Sequence, residues 1–286
     1  MNAIQISNLT KCYGKSRGII DLSLTVQEGE FFGYIGPNGA GKSTTIRTLL
    51  GLISPDSGSA QIFGMDIRND RKAVLSKVGY LPSEAIFYSG AKVKDILKLS
   101  ADLRKRDCSR EAAVLCDRLQ LNLSRRVSEL SFGNRKKVAI VCALQHTPDL
   151  LILDEPTSGL DPVSRDELLH ILSEYIEDGE HSVLFSTHIT GDLERTADYI
   201  TYISYGELFF SGGKDEFVDS FRIVKGGREE LSDDLGKKAF GIREFTTGFE
   251  ALIKTEDLRQ FAYLNVEPAT IDDIVVFTSK RGEQYE

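Results

Sequence analysis

The chain has 286 residues, enough for one large α/β domain with an appendage or for two modest domains that each bury a core. Hydrophobic residues make up 41% of it and charged residues 27%, ordinary values for a folded protein that exclude disordered and fibrous classes. A formal charge of −8 opposes the basic footprint of non-specific nucleic-acid binding, and no apolar run nears the roughly 18 to 20 residues of a membrane-crossing helix.

The first residues, Met1 to Ile6, lack the basic segment, apolar core and small-residue cleavage site of a secretory signal, so a cytosolic location is expected. Cys12, Cys108, Cys116 and Cys142 stand at no metal-ligating spacing and are expected as small buried hydrophobes. The basic run Arg135-Lys136-Lys137 reads as a solvated helix face.

In chain order, Ile4 to Leu9 and Leu22 to Val26 alternate like half-buried antiparallel strands, with turns at Gly14 and Gly29. Phe31 to Ile35 is a compact apolar strand, and Lys42 to Leu50 has helical spacing. Val93 to Leu123 is helical throughout and reads as an inserted helical subdomain at about 84–145. Leu150 to Leu153 and Ser182 to Ser186 are continuous apolar runs, as in parallel strands covered on both faces, with a helix from Ser164 to Tyr175 between them. Beyond Gly212-Gly213 come strand-like runs at Phe240 to Phe245 and Ala251 to Lys254, a helical Glu256 to Phe261 and a final strand, Ile274 to Thr278. The expected domains are 1–212 and a small α+β region at 213–286 that packs on the first.

Gly36-Pro37-Asn38-Gly39-Ala40-Gly41-Lys42-Ser43 lies between a strand and a helix and matches a phosphate-binding loop. Glycines let successive N–H groups point into one concavity at a helix N-terminus, where the dipole favours phosphate. Lys42 adds charge at the β- and γ-phosphates, Ser43 offers a hydroxyl to Mg²⁺, and Thr44 supports the neighbouring phosphate. At the end of an apolar strand, Asp154 can bind Mg²⁺ and Glu155 can polarise an attacking water.

The run Asp154-Glu155-Pro156-Thr157-Ser158-Gly159-Leu160-Asp161-Pro162, with the phosphate loop, closely resembles the ATPases of ABC transporters over about Ile4 to Gly212. The resemblance implies a P-loop NTPase core of α/β class with an N-terminal antiparallel β layer, the helical insertion and a small C-terminal α+β extension. It further implies ATP and Mg²⁺ as cofactors, Glu155 and His188 as catalytic residues, and Tyr13 as the aromatic stacked on adenine. Ser131 and Gly133, in Leu130-Ser131-Phe132-Gly133-Asn134, would cap the γ-phosphate of a second copy, and Asp161 would sit in the loop that crosses the dimer. The partners implied are a separate membrane permease and a second nucleotide-binding domain, in a homodimer at the cytoplasmic face of the plasma membrane, powering export.

Three positions depart from the family. Ser83 stands where a glutamine usually senses Mg²⁺ and water, and Phe132 and Asn134 replace a glycine and a glutamine of the signature. Slower turnover is one consequence the departures allow, so a nucleotide-gated module with little hydrolysis, or a soluble ATPase outside transport, stands as the alternative. The stretch Pro268 to Phe277 looks like the extension of many prokaryotic export-type members.

Overall fold

The computed structural model describes residues 1–14 and 16–282. Two long strands, β1 (Asn2–Tyr13) and β2 (Ser16–Gln27), pair antiparallel, and their inward positions Ile4, Ile6, Leu9, Leu22 and Val26 are buried. After β3 (Phe31–Ile35) and α1 (Lys42–Leu49), β4 (Ser57–Ile62) and β5 (Met65–Asp66) join that hairpin to complete a sheet in the order β2-β1-β4-β5.

The chain continues through α2 (Arg71–Lys77), β6 (Val78–Leu81), α3 (Val93–Arg104), α4 (Ser109–Arg118) and α5 (Phe132–Leu144). It then alternates β7 (Leu150–Asp154), α6 (Pro162–Ile176), β8 (Ser182–Thr187), α7 (Thr190–Thr196), β9 (Tyr199–Ser204) and β10 (Glu207–Gly213). A six-stranded sheet in the order β10-β9-β3-β8-β7-β6 results, parallel except where β10 turns back along β9. Every residue of β3, β7 and β8 is buried, because layers cover both faces of a parallel sheet. The functional loops leave the carboxyl ends of β3, β6, β7 and β8, side by side at one sheet edge.

Beyond β10 come α8 (Lys214–Asp219), β11 (Phe221–Gly226), α9 (Asp233–Lys238), β12 (Gly241–Glu244), β13 (Phe249–Lys254), β14 (Asn265–Pro268) and α10 (Ile271–Gly282). The four strands form an antiparallel sheet, β12-β13-β11-β14. The expected helix at Glu256 to Phe261 is a 3₁₀ segment, Thr255–Phe261.

The expected strand at Ile274 to Thr278 is overturned, since those residues lie within α10. Its run Ile274-Val275-Val276-Phe277 is apolar enough for either structure, but Ile271, Ile274 and Thr278 are buried at helical spacing. The start is a capping box: the Asp273 amide donates to the Thr270 hydroxyl at 3.1 Å, and the Thr270 amide donates to the Asp273 carboxylate at 3.0 Å. Local polar chemistry at 270–273 decides what apolar content leaves open.

A single apolar core joins both regions: Phe31, Leu193, Ile200 and Tyr202 of the first pack in one cluster with Phe221, Ile271, Ile274 and Phe277 of the second. The buried Tyr202 and Thr278 hydroxyls share a 2.7 Å hydrogen bond across this junction. Among the described residues, no helix is long and apolar enough to cross a membrane. Cys108 and Cys116 are buried as expected, Cys142 is partly buried, and Cys12 is exposed because it lies near the outer end of β1.

Candidate functional site

The phosphate loop runs from the end of β3 into α1. Gly41, the residue before the helix, has φ 106°, and a Cβ built there would meet the Gly18 carbonyl oxygen at 2.6 Å. A Cβ at Gly36 would lie 2.4 Å from the Ile203 carbonyl oxygen, so the loop also presses against β9. Lys42 is 6% exposed; its ammonium donates to the Gly36 carbonyl at 2.6 Å and the Pro37 carbonyl at 3.2 Å. Burial lowers its pKa, and Glu155 and Asp154 oppose that shift.

Behind the loop, the Ser43 hydroxyl donates to Asp154 Oδ2 at 2.8 Å and the Ser186 hydroxyl donates to Oδ1 at 3.2 Å. Asp154 ends β7 and is 1% exposed, so these two hydroxyls solvate its carboxylate in place of water. Serine and carboxylate oxygens are the donor type a hard cation takes. Among the described residues no group of three or more His, Cys, Asp or Glu side chains could hold a metal.

Glu155 has φ 52°, a left-handed conformation that costs a non-glycine residue about 1–2 kcal/mol. Its amide donates to the Ser186 carbonyl at 2.9 Å, which holds the bend at the end of the strand. Two groups meet its carboxylate: Lys42 Nζ lies 3.7 Å from Oε1, and His188 Nδ1 lies 2.8 Å from Oε2. The His188 amide also donates toward Oε2 at 3.4 Å.

Tyr13 is 46% exposed on the β1–β2 hairpin. A Cβ at Gly18 would meet its ring at 3.3 Å, and the same Gly18 backbone touches Gly41, so the tyrosine stands at the rim of the phosphate loop. Asp161 caps α6, accepting from the Ser164 amide at 3.0 Å and from its hydroxyl at 2.5 Å. Ser131 likewise caps α5 through the Asn134 amide at 3.2 Å. A Cβ at Gly133 would meet the Gly159 carbonyl at 2.8 Å, and one at Gly159 would strike the Phe132 ring at 2.4 Å. Among the described residues, no hydrogen bond or ion pair joins Ser131, Gly133 or Asp161 to the phosphate loop of the same chain.

Sequence reasoning missed three contributors. Ser186 was visible only as part of an apolar strand. Asp192, 1% exposed on α7, accepts from the Thr157 hydroxyl at 2.7 Å and from Arg165 Nε at 2.6 Å, tying the loop after Glu155 to the helix after His188. The third is Lys136. The expectation of a solvated face at 135–137 is overturned, because Lys136 is 2% exposed and Lys137 8%. α5 packs between α3, α4 and β6, and that packing turns both lysines inward. Burial lowers the Lys136 ammonium to about 8, and Asp154, Glu155 and Glu84 pull it back up.

A family model described as ABC transporter matches residues 19–158. The chain is 33% identical to the ABC transporter ATP-binding protein YhaQ of Bacillus subtilis (strain 168), across 99% of this chain and 100% of that one. It is 34% identical to the bacitracin transport ATP-binding protein BcrA of Bacillus licheniformis, across 72% of this chain and 68% of the relative. A solved structure of an ATP-binding subunit of an ABC transporter superposes with a TM-score of 0.70 at 30% identity, covering 75% of this chain and 91% of that chain. A glycine loop against a strand-end carboxylate pair, in a chain matched from end to end by such a relative, is a nucleotide-hydrolysing machine: this protein belongs to the ABC transporter ATP-binding proteins and is an ATP-binding, ATP-hydrolysing subunit.

Proposed function

We propose that the chain powers export through a separate membrane permease, pairing with a second copy of itself at the cytoplasmic face of the plasma membrane. The observation that carries this reading is the meeting of Lys42 and His188 on one carboxylate, Glu155, while Ser131 and Gly133 stay apart from the phosphate loop of their own chain. A site so divided is completed by a second copy, whose α5 N-terminus would bring two donors and a helix dipole to the γ-phosphate.

In this reading residues 36–44 cradle the phosphates, Lys42 exchanges its loop carbonyls for phosphate oxygens, and Tyr13 stacks on adenine. Ser43 and Asp154 would hold Mg²⁺, which supplies charge neutralisation at the phosphates when bound. Glu155 orients and polarises the attacking water, and His188 contacts the γ-phosphate while fixing the Glu155 carboxylate. Asp161 acts by position, at the start of the helix nearest the dimer seam.

A cleft of about 870 Å³ between α2, α3 and α5, edged by the exposed Leu52 and Leu103, supports seating of a cytoplasmic segment of the permease beside the inserted helices. Kinship with a bacitracin transport protein supports a peptide or antibiotic cargo. The region at 213–286 is proposed as a small C-terminal α+β accessory domain, a reading supported by its own sheet, and residues of it share a core cluster with the first region.

The test is to draw the tagged chain from native membranes in mild detergent, identify its companions by mass spectrometry and assay their Mg²⁺-dependent ATP turnover. A multi-span membrane protein, with activity lost in Glu155→Gln, is the expected result. A soluble companion in its place would sink the transport reading.

A further inference from the structure

Lys136 is a buried cation without a close anionic partner. Its ammonium donates to the Ser83 carbonyl at 2.8 Å and, more weakly, toward the Pro82 carbonyl at 3.4 Å. Among the described residues these are the contacts of the ammonium to protein oxygen, and the charges that act on it, Asp154, Glu155 and Glu84, do so from farther off. Burying an ammonium costs several kcal/mol, and an apolar side chain of similar length would fill the same space without that cost. Such a group is stable here because two carbonyl dipoles and a negative field meet it together.

Its place in the fold gives that charge a use. Lys136 lies on the first turns of α5, the helix whose N-terminus carries Ser131 and Gly133. The carbonyls it holds belong to the loop that leaves β6, and β6 pairs with β7, placing Leu81 opposite Leu153, one residue before Asp154. Ser83 has a side chain too short to reach far from that loop, so the loop is secured through its backbone by Lys136. One ammonium therefore touches the loop after β6, belongs to the signature helix and lies beside the strand pair that ends at Asp154.

We propose that Lys136 is a positioning residue of ATP hydrolysis, whose buried ammonium fixes the Pro82–Ser83 backbone to α5 and so holds the end of β6 against the strand end that carries Asp154 and Glu155. It acts through the backbone of the loop after β6. The consequence is that movement of the α5 N-terminus and alignment of the carboxylates are linked by one side chain. This inference rests on the assignment of Asp154 and Glu155 as the hydrolytic pair and is independent of what the subunit transports.

The experiment measures ATP turnover and ATP binding by the full-length chain for Lys136→Met and Lys136→Gln, with Glu155→Gln in parallel and a melting curve for each. The expected result is a fall in kcat of about ten-fold or more in both lysine variants, with the ATP Kd held within about two-fold. Lys136→Gln removes the charge and keeps an amide donor one bond shorter than the ammonium, and it decides the question where Lys136→Met does not fold. Turnover by Lys136→Gln within about two-fold of the parent, while Glu155→Gln is inactive, overturns the role of Lys136 and leaves the carboxylate assignment standing. An equal fall in kcat and in ATP affinity in Lys136→Gln overturns it as well, because general loss of structure moves both.

Discussion

His188 Nδ1 stands 2.8 Å from Glu155 Oε2, and the other oxygen of that carboxylate faces Lys42 Nζ at 3.7 Å. The glutamate is thus held from two sides in a strained backbone conformation, with its direction set by the imidazole and its charge offset by the ammonium. Glu155→Gln keeps the size and removes the charge. ATP affinity should stay within about two-fold and turnover should fall about a hundred-fold or more, read by nucleotide binding and phosphate release on one preparation. Unchanged turnover would remove Glu155 from the chemistry.

Lys42→Met should act on the other term. Methionine keeps the bulk, and it removes both the donor to the Gly36 and Pro37 carbonyls and the burial cost of an ammonium, together with the charge proposed to meet phosphate. ATP affinity should drop about ten-fold or more, measured by titration with a fluorescent nucleotide, with little change in melting temperature.

Asp192 is the anchor of a buried network, so its loss should be felt in stability. Asp192→Ala leaves Thr157 and Arg165 without their acceptor and should cost about 2–3 kcal/mol in denaturant unfolding, the partial exposure of Arg165 softening the penalty. Asp192→Asn retains one acceptor oxygen and should cost less than half as much. Equal stability of parent and alanine variant would show that the network is dispensable.

His146 supplies a pH dependence. Both ring nitrogens are buried without a hydrogen-bond partner, although the backbone at Val78 and Cys142 lies close. Burial, with the positive charge of Arg104 next, lowers its pKa from 6.5 to about 4. The unfolded chain takes up this proton below about 6.5 and the folded chain does not, so stability is full above that pH and falls as pH drops toward about 4. His146→Leu should flatten this part of the profile. Urea unfolding of both chains at pH 7.5 and 5.5 checks it, and parallel profiles would count against the assignment.

Phe277→Ala tests the shared core. The ring is 1% exposed in a cluster that includes residues of β9 and α7, so truncation should cost about 3–5 kcal/mol. Because the cluster is continuous, calorimetry should show one lowered transition for the whole chain, and a separate early transition confined to the accessory region would contradict it.

The phosphate loop was legible in the sequence because its geometry is local: glycines, lysine and serine must follow one another for amides to curl around a phosphate. Asp154 and Glu155 were legible for the same reason, as a carboxylate pair at a strand end. Asp192, Ser186 and Lys136 were not, because their partners lie tens of residues away and are chosen by the strand order β3-β8-β7-β6. Three consecutive basic residues look alike on paper; only the packing of α5 distinguishes the two lysines that turn inward from the exposed Arg135. The misreading of Ile274 to Thr278 has a different cause, since a run of β-branched and aromatic residues favours a strand by local propensity, and the Thr270–Asp273 cap with burial at helical spacing overrides it.

The order in which the chain is made gives the shared core a further meaning. Every strand of the six-stranded sheet is synthesised before residue 214, yet the apolar cluster over α7 and β9 is completed by later residues, Phe217 of α8 first and Ile271, Ile274 and Phe277 of α10 last. A nascent chain on the ribosome therefore carries a finished phosphate loop beside an uncovered apolar face until those last turns emerge. That interval is when chaperones have most to hold, and a premature stop anywhere after β10 would leave a nucleotide-binding sheet with an adhesive side.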